Sequence, residues 1–166
     1  MFKITADVKE NDQALQAMQA ALKELENTHV LVGIPEDESM RQDGQINNAA
    51  LLYIHSNGSP ANNIPARPVL EPALEHSKER LGEITGKAIK AAMAGDSADM
   101  RAQLDKAGMA GQDAVKDWFT NPSNGFAPLK PETARRKEKK GSSVERPLID
   151  TSDLRNSITY VVRGRE

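Results

Sequence analysis

Residues 96–119, DSADMRAQLDKAGMAGQDAVKDWF, decide the fold class. Asp96 or Ser97 supplies a side-chain oxygen suited to capping a helix start. Met100, Leu104, Ala107, Gly111, Val115 and Trp118 then recur at helical spacing along one face. The pattern predicts a helix over about residues 97–119. Gly108 and Gly111 lie inside it, and each costs about 1 kcal/mol relative to Ala. Small residues there let another backbone approach, from the same chain or from a neighbouring subunit.

Towards the N-terminus, a second long helix is predicted over about 69–94. Pro72 suits its first turn, Leu70, Leu74, Leu81, Ile84, Ala88 and Ala92 form its apolar stripe, and Gly95 ends it. Before it, residues 59–68 hold Pro60, Pro65 and Pro68 and read as a stiff, extended arm. A short helix over 48–57 is capped by Asn47 or Asn48 and stopped by Asn57-Gly58. His29 to Ile34 is a β-branched strand run closed by Pro35. An amphipathic helix over 12–26 places Leu15, Met18, Leu22 and Leu25 on its apolar face. Residues 2–8 alternate and form a strand candidate, and 36–45 read as a loop or hairpin tip.

Towards the C-terminus, residues 120–149 read as mostly irregular, a length that in a compact domain points to function or disorder. Thr151 or Ser152 caps a short helical turn, and Ile158 to Val162 is a strand. The expected fold is a single α+β domain over 1–166. Three to four strands form a small mixed or antiparallel sheet, packed with two long helices and a shorter N-terminal helix.

Composition narrows the function classes. Apolar residues make up 38% and aromatics 4%, so stacking platforms and aromatic-lined sites are scarce. The absence of cysteine excludes disulfides, Cys-ligated zinc, iron–sulfur clusters and thiol nucleophiles. No apolar run approaches the length of a membrane span, and the N-terminus has no signal-peptide core, so a cytoplasmic origin is expected. Net charge is −2, but it is unevenly spread: −5 over residues 1–60, −1 over 61–129 and +4 over 130–166. Unlike patches on opposite sides suit a head-to-tail ring and guide docking. Glu36, Asp37 and Glu38 are the densest acidic run; Arg135, Arg136, Lys137, Lys139 and Lys140 the densest basic one.

Catalytic patterns are sparse. His29, His55 and His76 share no metal-ligand spacing, and His55 reads as a polar edge residue. There is no nucleophile elbow, P-loop or dinucleotide fingerprint. Ser142-Ser143 has no evident base, and Glu36-Asp37-Glu38 reads as solvated charge. No catalytic, cofactor or metal site is expected. The basic run offers salt-sensitive, non-specific phosphate contact, without aromatics for stacking.

Three stretches together resemble tailed-bacteriophage virion-morphogenesis proteins, the tail-completion or neck proteins that join head and tail. They are Asn48 to Ser59; Ile64-Pro65-Ala66-Arg67-Pro68-Val69-Leu70-Glu71-Pro72-Ala73-Leu74; and Pro128 to Thr133 followed by Pro147 to Thr159. Val69 stands where that family commonly has an aromatic, and Ser152 where it commonly has glycine. The resemblance implies a non-enzymatic virion protein made in the host cytoplasm. It would form a homo-oligomeric ring, hexameric by family analogy. Its neighbours would be a tail tube or terminator protein and the head connector or adaptor proteins, with non-specific contact to DNA in the channel. Tail terminator or minor tail protein is the neighbouring reading. Pro65, Arg67 and Pro68 become interface candidates, with Arg67 held outward, set against a carboxylate or tying down its own loop. A DNA-contacting module and a small hydrolase remain the readings from other classes.

Overall fold

The structure is a computed structural model and describes residues 8–35, 46–141, 146–149 and 152–164. The helices are α1 (Val8–Glu26), α2 (Asn48–Asn57), α3 (Leu70–His76), α4 (Lys78–Met93), α5 (Ser97–Trp118), α6 (Pro131–Lys139) and α7 (Asp153–Asn156). The strands are β1 (Thr28–Gly33) and β2 (Thr159–Gly164), and two 3-10 turns cover Pro60–Asn62 and Pro122–Asn124. β1 and β2 form one antiparallel pair. The class is α+β as expected, but the described residues hold two strands rather than three or four. The predicted strand over 2–8 lies outside the described residues except for Val8, which begins α1.

The chain divides into two compact units. One gathers the chain up to Leu31, Glu79–Gly108 and the residues from Val161 onward; the other gathers Val32–Lys78 and Met109–Tyr160.

The first unit has a small-residue core. Ala21, Ala88, Ala91, Ala92, Met100 and Leu104 are buried, with Leu25, Val30 and Val162 packed against them. Gly95 reverses the chain between α4 and α5 at φ 78°. Its N–H donates to Ala92 O at 3.0 Å and the Asp96 N–H to Ala91 O at 2.9 Å, which satisfies the last carbonyls of α4. Asp96 then caps α5, its Oδ1 accepting the Asp99 N–H at 2.8 Å. On α1 the inward residue is Ala21, while Leu15 and Leu22 are 47% and 36% exposed. The predicted stripe holds in part: Met18 and Leu25 are half-buried, with Leu25 against this core, whereas Leu15 and Leu22 are exposed and Ala21 takes the fully buried position.

The second unit carries the larger side chains. Val69, Val115, Phe119 and Ile158 are fully buried, with Leu52, Ala73, Trp118 and Leu154 around them. The helix predicted over 69–94 is broken at Ser77, whose N–H is shared between Ala73 O at 3.2 Å and Leu74 O at 3.1 Å. The break falls where the chain leaves this unit for the other. Gly111 on α5 faces Val32 and Leu74, so this small residue serves packing within the chain.

Candidate functional site

α2 begins at Asn47, whose Oδ1 accepts the Ala50 N–H at 2.7 Å. Leu51 and His55 are four residues apart and share a face of this helix. Gly58 ends it at φ 74°, where a Cβ would lie 2.8 Å from Ala66 N and 2.9 Å from Ile64 O. Only glycine lets the chain double back so tightly. Ser59 and Ile64 then exchange N–H···O bonds of 2.9 Å, closing a turn through Pro60–Asn62.

The turn lays the Pro65-Ala66-Arg67-Pro68 segment beside α2, and the Arg67 N–H donates to His55 O at 2.7 Å. Arg67 is 6% exposed. Its Nε–H donates to Ala127 O at 2.9 Å and its Nη2 to Pro128 O at 3.2 Å. None of the three expected placements of Arg67 is the one seen: the side chain turns inward and holds backbone carbonyls of a distant segment rather than its own loop. The segment it crosses is also organised from within. Asn124 Nδ2 donates to Trp118 O at 3.1 Å, and Asn124 Oδ1 accepts the Phe126 N–H at 3.0 Å.

The basic stretch is helical rather than irregular. Pro131 occupies the first turn of α6, Glu132 sits near its N-terminus, and Arg136, Lys137 and Lys139 sit in its last turn. That order complements the helix dipole. Lys137 is buried, and its Nζ donates to Arg146 O at 2.8 Å and to Ile149 O. Beyond this brace, Leu148 and Ser152 hold left-handed backbones at φ 65° and 68°. Ser152 occupies the N-cap position of α7 without a side-chain capping bond. Arg155 Nε donates to Lys116 O at 2.8 Å, tying α7 to the end of α5.

These pieces line a solvent-open pocket of about 420 Å³. Leu51 and His55 come from α2, Ile64, Pro65 and Arg67 from the reversed segment, Thr133, Arg136 and Lys137 from α6, and Leu148, Ser152, Asp153 and Leu154 from the last block. Among the described residues of the lining the charges are mostly positive, Arg67, Lys130, Arg136 and Lys137, and Asp153 is the one carboxylate. Burial, and then the Arg67 charge, hold the His55 imidazole below its ordinary pKa. Burial also pulls the Arg67 guanidinium down from its ordinary value. The buried Nδ1 of His55 has no hydrogen-bond partner among the described residues.

The interface candidates separate accordingly. Pro65, Arg67, Arg136 and Lys137 line the pocket. Pro68 is exposed and lines a different cleft, with Tyr53 and Leu70. Arg135, Arg136, Lys139 and Lys140 are exposed on and just after α6. Glu36, Asp37 and Glu38 lie outside the described residues. Sequence reasoning missed His55 as a pocket residue and Lys137 as a brace. The Pro131-Glu132 helix start was the available signal for α6.

No group of three or more His, Cys, Asp or Glu side chains among the described residues is arranged to hold a metal ion. No helix among them is long and apolar enough to cross a membrane. Compared with protein-family models, curated proteins and solved structures, the chain matches none.

Proposed function

We propose that this chain is a structural protein of a tailed-bacteriophage virion. It acts at the head-proximal end of the tail as an oligomeric ring, of six copies by family analogy, and makes the tail competent to join the head. One observation carries this reading. The first two sequence blocks that resemble tail-completion proteins are nearly consecutive, the third begins more than fifty residues later, and all three lie in one unit, where the second bonds to both the first and the edge of the third. Block one supplies His55 O to the Arg67 N–H of block two, and Arg67 holds the carbonyls of Ala127 and Pro128 at the edge of block three. That these motif residues hold one another's backbone is what supports reading the blocks together.

The mechanism is surface complementarity. The Pro-Ala-Arg-Pro segment is held in one conformation before any partner arrives, so little ordering entropy is lost on docking. The acidic first third and basic last quarter of the chain give unlike patches for head-to-tail contact. The exposed cations of α6 favour a second contact, non-specific and salt-sensitive, with DNA in the channel.

Disrupting the gene in its phage and imaging the lysate by negative-stain electron microscopy tests the proposal. Filled heads beside separate tails of normal length are expected. Overlong or absent tails would move the assignment to a terminator or tail-assembly part, and normal infectious virions would refute a structural role.

A further inference from the structure

The pocket in the second unit has the chemistry of a ligand site. Its apolar wall is built by Leu51, Ile64, Leu129, Leu148 and Leu154. Against that wall stand two guanidinium groups, one buried and one exposed at α6. Arg67 spends two of its five N–H donors on backbone carbonyls, and both acceptors are neutral. The volume, about 420 Å³, falls in the range of small-ligand sites. Lys137 adds charge from the wall while bracing the backbone at Arg146 and Ile149.

We propose that this pocket binds a carboxylate carried on a short apolar body, with Arg136 and Arg67 facing the carboxylate and the leucine wall holding the body. A guanidinium offers parallel donors that match the two oxygens of a carboxylate. The apolar wall favours such an amphipathic anion over a strongly hydrated inorganic one. Two sources share this chemistry: a free aliphatic acid, or an acidic side chain flanked by apolar residues on a partner protein. The proposal goes beyond the assembly role and holds whichever structure the chain joins.

Chemical-shift titration of the full chain by NMR tests it, with four probes: hexanoate, hexanol, inorganic phosphate, and the capped tripeptide acetyl-Leu-Glu-Leu-amide. Hexanoate is expected to bind saturably with a Kd of about 1 mM, shifting the Leu51, Leu129, Leu148 and Leu154 methyls. Hexanol and phosphate should each bind about tenfold more weakly or not at all. Arg136→Gln removes an exposed side chain, so the thermal midpoint should hold while hexanoate affinity falls about tenfold. A tripeptide tighter than hexanoate identifies a protein partner as the source, and a weaker one a free acid. Equal binding of hexanol, equal binding of phosphate, shifts away from the pocket, or no saturation overturns the proposal.

Discussion

Ser152 holds φ 68°, a conformation that costs an L-residue about 1–2 kcal/mol and glycine almost nothing. Its hydroxyl makes no capping bond in return. Ser152→Gly should therefore raise stability by about 0.5–1 kcal/mol in urea unfolding, the strain relieved less the entropy glycine adds to the unfolded chain. Arg67 presents the opposite case. Arg67→Ala would leave the Ala127 and Pro128 carbonyls without these donors and open a hole beneath the segment, lowering stability by about 2–4 kcal/mol. Arg67→Lys should recover only part of this, since one ammonium cannot copy the fork. His55 gives a pH signature. Its folded pKa lies below the ordinary value of about 6.5, so above that pH both states are neutral and the stability is complete. As pH falls further, the unfolded chain takes up a proton that the folded state resists, and stability declines until the folded pKa is passed. His55→Gln should flatten that part of the stability–pH curve measured by thermal unfolding.

Elements with strong periodicity and ordinary caps are legible in the sequence. α2 and α5 fall where Asn47, Gly58, Asp96 and the Met100-to-Trp118 stripe place them. The break at Ser77 is not legible there, because Leu70 to Ala92 stay in helical phase and only the division between two cores interrupts them. The reversal at residues 59–64 is not legible either. Three prolines suggest an extended arm, whereas Gly58 and the Ser59–Ile64 pairing fold it back. α6 is hidden by its charge, since its one buried polar anchor, Lys137, looks like surface in a sequence. Gly82 and Gly86 of α4 leave open space where a Cβ would stand, with nothing within 4 Å, so replacing each with Ala should stabilise by about 1 kcal/mol. Gly58→Ala should cost at least about 2 kcal/mol, since its Cβ would meet backbone atoms at 2.8 and 2.9 Å. Urea unfolding of the three variants checks both signs.

At the scale of the whole molecule, two units with separate cores are threaded by one chain that passes between them several times. The unit holding all three motif blocks also holds the pocket and the exposed cations of α6. Its surface is therefore where the basic contact of the proposed ring subunit belongs. Immunogold labelling of purified virions tests the proposed position at the head-proximal end of the tail. Antibodies raised against this chain should decorate the junction between head and tail. Label confined to the distal tail tip, or its absence from intact virions, would contradict the account.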